Sequence, residues 1–407
     1  VPRTVDAVHP PDAVHPPDAV DARRRDVVTT PADLLSPAPA YDGGGLADVL
    51  PSVCAALGVP DVVGRLAVPE CARAVVVLVD GLGDALLRRR GGHAPFLRSL
   101  LPTGRTLLSG FPSTTATSMG TFGTGLPPGA HGMLGYTVLV PGADRLFNEL
   151  SWEDGPDPYL WQPRPTLFAE ADRVGIPVTR VGPGFFDGSG LTNAALRGGA
   201  FTAAHSLPDR VDATLAALRG APRGLVYLYW GDVDKIGHVR GPDSWEWGAE
   251  LEAVDGELRR LAASVPSDTA IVVTADHGMV TCPLENRIDL AEDAELAAGV
   301  RHAGGEPRAL QLYCEPGAAA DVLATWSERL EGRAWVIGRE RAEELFGGVE
   351  DDMSDRVGDV VAVMRGEEAI VDSRTQRQEL RSLLGLHGSL TPDELTIPFL
   401  LVPPRGR

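Results

Sequence analysis

Four short runs of nearly unbroken apolar residues constrain this chain more than anything else in it: Ala74–Val79, Leu225–Tyr229, Ala270–Thr274 and Ile397–Val402. A strand that faces water on one side alternates apolar with polar residues, so uninterrupted runs predict strands covered on both faces. Between the second and third runs, Trp247, Leu251, Val254, Leu258 and Leu261 recur at helical spacing, with Glu250, Glu252, Glu257, Arg259 and Arg260 filling the other face. An amphipathic helix joining two buried strands predicts a crossover connection. The expected fold is α/β, a mostly parallel central sheet flanked by helices on both faces. In such sheets function collects beyond the carboxyl ends of the strands, so the residues following each run are the ones to inspect.

The first run ends in Asp80-Gly81-Leu82-Gly83, a carboxylate at a strand tip with glycines that let the backbone turn. The same Asp could equally cap the next helix. The second run leads into Gly231–His238, where Asp234 and His238 stand four apart. One helical turn points such a carboxylate and imidazole to the same side, close enough to share a cation. Asp232 does not have that relation to His238, and the plain alternative is an exposed Asp/His pair. The third run ends in Thr274-Ala275-Asp276-His277-Gly278. Two polar groups in a strand-end crevice are costly without a partner, and a cation would satisfy both. His387-Gly388, on a turn-rich loop ahead of the last run, adds one more imidazole. The segment Gly110–Gly120 carries five hydroxyls, Ser113, Thr114, Thr115, Thr117 and Ser118, after a short β-like stretch from Thr106 to Ser109. Hydroxyls at the start of a helix are commonly caps, and one among them could still be a nucleophile.

The formal net charge of −19 works against binding a nucleic-acid polymer, because gripping one requires Lys and Arg to displace counterions. A local metal site could still take a small phosphate ester. Cys54, Cys71, Cys282 and Cys314 form no C-x-x-C pair, which predicts reduced structural thiols. Residues 1–21 lack the basic start and apolar core of a signal peptide, and no apolar run reaches about 18 residues, so a cytoplasmic protein without a membrane span is expected. The hexad DAVHPP occurs twice from Asp6 and begins again at Asp18, ahead of Arg23, Arg24 and Arg25. Residues 1–42 therefore read as a disordered Pro-rich arm with His9 and His15 as linker histidines, and 43–407 as the catalytic domain. Within that domain, 284–381 has its own helix signal at Ala318–Leu330 and strand signal at Val357–Val363, and reads as an inserted cap subdomain. Trp152, Tyr159 and Trp161 are candidates for stacking on a planar leaving group, or for core and lid packing.

Taken in chain order, V-D-G at Asp80, F-P-S-x-T at Thr115, D-x-x-x-G-H from Asp234 to His238, A-D-H-G at Asp276 and H-G at His387 closely resemble the metal-site motifs of the alkaline phosphatase superfamily. The nucleotide pyrophosphatase/phosphodiesterase branch is the nearest likeness, over about Ala74 to His387. The resemblance implies a metal-dependent phosphoric ester hydrolase with two divalent ions. One would be held by Asp234, His238 and His387, the other by Asp80, Asp276, His277 and the Thr115 oxygen. Nitrogen and oxygen ligands without a thiolate suit zinc, with manganese or iron as alternatives. Thr115 would be the nucleophile, forming a covalent phosphothreonine-type intermediate, with Ser113 and Thr114 as other hydroxyls in reach of that role. The implied substrate is a small phosphate ester or nucleotide, a diester ahead of a monoester. A phosphomonoesterase or phosphonate hydrolase would use the same ligands. A sulfatase would need a C/S-x-P-x-R signature that the nucleophile segment lacks, and a non-catalytic metal-binding protein would be expected to lack a ligand or the hydroxyl. No asparagine follows Thr115 in its segment to offer an amide to a phosphoryl oxygen. Ser118, with a shorter reach, and Lys235 are the candidate substrate contacts, with Thr117 and Thr121 behind them. That departure leaves the substrate class open more than the reaction type.

Overall fold

All four apolar runs are strands of one seven-stranded sheet. The computed structural model describes residues 38–405. In chain order the sheet uses β1 (Arg73–Val79), β2 (Arg105–Leu108), β3 (Val178–Gly182), β4 (Ala200–Ala203), β5 (Gly224–Trp230) and β6 (Thr269–Thr274). Four strands of a second sheet follow, β7 (Val300–Glu306), β8 (Ala309–Cys314), β9 (Ala334–Gly338) and β10 (Val360–Met364), before β11 (Thr396–Val402) returns to the first. The spatial order of the main sheet is β2-β11-β6-β1-β5-β3-β4. Strand β1 pairs in parallel with both β5 and β6, and β3 pairs in parallel with β4 and β5. The exception is β11, antiparallel to both β6 and β2. Its apolar run reads like the others because coverage on both faces, not direction, sets the composition.

The core follows from those runs. Ala74 through Val79 are all within 1% of complete burial, and each Val or Leu so removed from water contributes roughly 1.5–3 kcal/mol. The predicted crossover is helix α3 (Trp245–Ser264), reached through the shorter α2 (Asp232–Arg240); nucleophile-segment helix α1 (Thr115–Thr124) precedes both. Trp247, Leu251, Val254, Leu258 and Leu261 form the buried face of α3, as their spacing requires. With β1, β5 and β6 aligned in parallel, Asp80, the start of α2 and Asp276-His277 all emerge at one edge of the sheet.

The antiparallel sheet, ordered β7-β8-β10-β9, lies within the predicted 284–381 segment. A helix at Ala319–Arg329 backs it, and Leu310, Leu312, Trp326, Val360, Ala362 and Met364 belong to its own apolar cluster. The segment is bolted to the rest at several points, among them Gln311 Nε2 donating to Leu134 O at 2.8 Å and Thr137 Oγ1 donating to Gly305 O at 3.2 Å. Residues 1–37 of the predicted arm lie outside the described residues. Tyr41, placed by the sequence reading inside the arm, belongs to the folded part: its hydroxyl donates to Leu345 O at 2.8 Å and accepts the Phe111 N–H at 3.0 Å. All four cysteines are free thiols, and no helix among the described residues is long and apolar enough to cross a membrane.

Candidate active site

The strand tips bring the seven principal sequence candidates together. Asp80 follows β1, its N–H donating to Trp230 O at the end of β5 (2.9 Å). Gly81 turns the chain with φ +70, and a Cβ there would stand 2.9 Å from Asp234 Cβ. Only glycine lets the β1 turn and the first turn of α2 approach this closely. The freed Gly81 N–H reaches Asp276 Oδ1 at 3.2 Å, tying the first and third tips together. The result is two adjacent groups, Asp80 with Asp276 and His277, and Asp234 with His238 and His387. Within each, the potential ligand atoms lie within 4.8 Å of one another. The groups meet where the His277 and His387 rings stack, centroids 3.7 Å apart.

Hydrogen bonding shows which atoms remain available. His238 Nδ1 pairs with Gly385 O at 2.7 Å, His277 Nδ1 with Gly278 O at 2.9 Å and His387 Nδ1 with Ser113 O at 2.9 Å. A carbonyl can only accept, so each Nδ1 carries the proton; the Nε2 atoms face inward, those of His238 and His387 lying 3.3 Å apart, and each offers a lone pair when its ring is neutral. Asp80 Oδ1, Asp234 Oδ1 and Asp276 Oδ2 are buried without a hydrogen-bond partner. Asp80 Oδ1 and Asp276 Oδ2 each sit 3.5 Å from His277 Nε2, and Asp234 Oδ1 sits 3.9 Å from His387 Nε2. Those spacings are too long for hydrogen bonds. They suit atoms arranged around a cation, and buried carboxylate oxygens left without donors are otherwise costly. The donor set therefore fits two divalent ions, and its mixed nitrogen and oxygen character suits zinc-like metals.

The electrostatics agree. Burial, with Asp276 and Asp234 beside it, pushes the Asp80 carboxyl well above the usual carboxylate range. Asp276 is also raised by burial, against the pull of His277. Burial works to raise Asp234 too, but the surrounding imidazoles, His238 foremost, hold it below the ordinary value. His238 resists its own burial and rises to about 9 because Asp234 sits 3.2 Å away. His387 falls well below the usual imidazole value through burial and the neighbouring His277. Protein groups alone leave Asp80, Asp276 and His387 poorly compensated, while Asp234 and His238 compensate each other.

Of the five hydroxyls, Ser113, Thr114, Thr117 and Ser118 are buried and Thr115 alone is partly exposed. Its Oγ1 lies 3.2 Å from His277 Nε2. The N-cap of α1 is Thr114, which makes no side-chain cap bond. Ser118 takes a place other than the expected substrate contact: its hydroxyl donates to Asp276 O at 3.0 Å and pairs with Ser109. Lys235 is exposed on α2, and Thr121 pairs with His131 at 3.0 Å. Among the aromatics, Trp152 and Trp161 pack edge-on against Phe147. Tyr159 is 53% exposed and lies under Arg197.

Three residues have roles that carry no sequence signal. Tyr229, near the end of β5, donates its hydroxyl to Asp80 Oδ2 at 2.5 Å. Ser113 straps the nucleophile segment to the His387 loop: its Oγ donates to Ser389 O at 2.7 Å and accepts the Gly388 N–H at 3.2 Å. Glu306, the last residue of β7, reaches the same loop from the inserted segment.

The sheet order and the paired groups at its carboxyl edge define an alkaline phosphatase-like α/β protein. The chain belongs to the type I phosphodiesterase/nucleotide pyrophosphatase family, whose pattern matches residues 74–390. An uncharacterized pyrophosphatase/phosphodiesterase of Schizosaccharomyces pombe is 27% identical over 248 residues, 57% of this chain and 50% of that protein, so the chain spans about half the length of this relative. Human ectonucleotide pyrophosphatase/phosphodiesterase family member 5 is 36% identical over 74 residues, 17% of this chain and 16% of its own length. In structure, murine ectonucleotide pyrophosphatase/phosphodiesterase 5 superposes with a TM-score of 0.65 at 23% identity, covering 81% of this chain and 88% of that one. Phosphonoacetate hydrolase from Sinorhizobium meliloti gives 0.65 at 22% identity, covering 83% and 92%. At these identities the structural likeness establishes the fold.

Proposed function

We propose that the chain is a phosphodiesterase of the nucleotide pyrophosphatase type, hydrolysing a small phosphate ester through a phosphothreonine-type intermediate on Thr115. The observation that carries this reading is the position of Thr115 Oγ1, the partly exposed hydroxyl of its segment, 3.2 Å from His277 Nε2 at the junction of two groups whose inward oxygens lack partners. Asp234, His238 and His387 would hold one divalent ion, and Asp80, Asp276 and His277, with Thr115, the other. Bound there, the two ions would supply positive charge to the attacking and departing oxygens of an in-line displacement. The protein's own part is positional. Tyr229 fixes the Asp80 carboxyl, the three backbone carbonyls fix the imidazole tautomers, and the start of α1 fixes Thr115. Thr115 Oγ1 forms the bond to phosphorus as the ester oxygen leaves, and water then releases the phosphoryl group and restores the threonine.

A threonine nucleophile is in keeping with a structure of murine ectonucleotide pyrophosphatase/phosphodiesterase 5 as an inactive threonine-to-alanine variant in complex with AMP. The test is Thr115→Ala against bis(p-nitrophenyl) phosphate, with metal content measured on the same samples. Turnover should fall at least about a thousandfold while roughly two metal ions per chain remain, and Thr115→Ser should keep more activity. A metal-replete Thr115→Ala protein with near-normal turnover would mean that water attacks directly. Chelation should abolish activity, and kcat/KM for the diester should exceed that for p-nitrophenyl phosphate; the reverse order would favour a phosphomonoesterase.

A further inference from the structure

Glu306 ends β7 where the inserted segment meets the site, and it is 6% exposed. Gly388, beside His387, has φ +128, and a Cβ there would stand 2.8 Å from Glu306 Cβ and 2.9 Å from Glu306 Cγ. The glycine is what allows the stem of the acid to cross the His387 loop. Glu306 Oε1 is buried without a hydrogen-bond partner. Among the described residues no Lys or Arg forms an ion pair with it; Arg308, two residues on, is committed to Glu394. Burial raises its carboxyl to about 7, against the Thr114 hydroxyl, the nearby His238 and the Tyr136 main-chain amide, which favour the charged form, so the acid is ionised above neutral pH. An acid buried without a cation costs free energy unless something the site binds completes it.

The charge count gives it a role. Asp80, Asp234 and Asp276 would offset three of the four positive charges of two divalent ions, and the single negative charge of a diester would offset the last. Glu306 is then a negative charge in excess on the side of Asp234, His238 and His387. In the reading proposed above, that is the side from which the ester oxygen leaves. A pyrophosphate leaving group would bring further negative charge against it, whereas an alcohol would not, and like charges in a partly dry site repel strongly.

We propose that Glu306 is a specificity-determining residue, an acid that turns away esters whose leaving group carries negative charge of its own, such as pyrophosphate, and favours those whose only charge on leaving is that of the departing oxygen. This rests on the phosphodiesterase reading and narrows its substrate class. The test compares, at about pH 8.5 where the acid is ionised, kcat/KM for ATP with that for bis(p-nitrophenyl) phosphate, and the Kd of pyrophosphate measured by calorimetry, in metal-loaded wild type, Glu306→Gln, Glu306→Ala and Glu367→Gln. The last removes one negative charge from an exposed turn. In both Glu306 variants the ratio of ATP to diester should rise about tenfold or more and pyrophosphate should bind about tenfold more tightly, as relief of a like-charge contact requires, while Glu367→Gln leaves both unmoved. Glutamine matches glutamate in shape, so Glu306→Gln isolates charge from packing. An unmoved or lower ratio in Glu306→Gln overturns the filter even if the diester is cleaved well. If wild type cleaves neither ester, the phosphodiesterase reading falls, and the filter falls with it.

Discussion

Arg308→Met should destabilise the protein more than any surface substitution, and the structure says by about how much. Arg308 and Glu394 both have fully buried side chains. Arg308 Nε and Nη2 donate to Glu394 Oε1 and Oε2, each at 2.7 Å. The carboxylate also accepts the Ser389 N–H at 3.0 Å and the Thr391 hydroxyl. Without the guanidinium, a buried charge is left with two neutral donors, and one-sided loss of such a pair costs ~3–5 kcal/mol. At ~2.1 cal/mol/K of unfolding entropy per residue, a folded part of roughly 370 residues loses about 5 °C in Tm for 4 kcal/mol. Arg308→Met/Glu394→Gln should recover most of that loss, since the amide oxygen still accepts from Ser389 and no charge is stranded. The assay is thermal unfolding of wild type and of both variants, metal-loaded and metal-stripped. The loss should also reach the site. The main chain at Glu394 and Asp393 accepts the Gly278 and Met279 N–H groups at 2.7 and 3.0 Å, and the Ser389 loop carries His387. Metal affinity should therefore weaken by about tenfold or more. A single variant that loses under about 1 kcal/mol, or a double variant less stable than Arg308→Met, would refute the reasoning.

Two further predictions use other parts of the fold. Burial raises the Glu149 carboxyl to about 7, although Trp161 Nε1 and the Gly135 N–H donate to it. Because the folded value lies above the unfolded one, its stabilising contribution is full below about pH 4.5 and is lost as pH rises through about 7. Wild type should thus lose up to about 3 kcal/mol across that window through this group, and Glu149→Gln should flatten that part of the Tm-against-pH curve; parallel curves would contradict the assignment. Gly81→Ala forces a side chain to φ +70 and sets its Cβ 2.9 Å from Asp234 Cβ, so it should cost about 1–3 kcal/mol and lower metal content more than Glu149→Gln does, as unfolding curves and metal analysis on the two variants would show.

Much of the site could be read from the chain because a buried strand announces its own end. Asp80 and Asp276 stand out as the first charged groups after apolar runs, and Asp234 and His238 by their one-turn spacing. What could not be read depends on which side of an element faces the core. Ser118 is three residues beyond Thr115 and so shares a helical face with it in projection, yet α1 lies so that this hydroxyl meets Asp276 O instead of the cleft. Tyr41 was hidden by its Pro-rich neighbours, which reveal nothing of a single anchoring hydroxyl. The direction of β11 was hidden because a doubly covered antiparallel strand is as apolar as a parallel one. Glu306 was hidden most completely, since its place beside Gly388 comes from the register of a hairpin in the inserted segment.

The two groups of candidate ligands are assembled differently, and the difference follows from where residues 284–381 sit in the chain. Asp80, Asp276 and His277 come directly from adjacent parallel strands, so pairing β1 with β6 is enough to bring them to one edge. Asp234 and His238 come from α2, but His387 lies beyond residues 284–381 and is held by Ser113 O, with the Ser389 loop pinned in turn by Glu394 and through it by Arg308 in the turn before β8. Ser113 couples that loop to the segment bearing Thr115. The packing of residues 284–381 thus reaches the nucleophile segment by way of the His387 loop and also through the Tyr41 hydroxyl, which bridges Leu345 O and the Phe111 N–H, while the group around Asp80 is set by the sheet with a further tie from Glu394 O to the Gly278 N–H. Residues 284–381 therefore help to hold His387 through Arg308 and the Ser389 loop, and they bring beside that loop an acid, Glu306, that neither proposed ligand set uses.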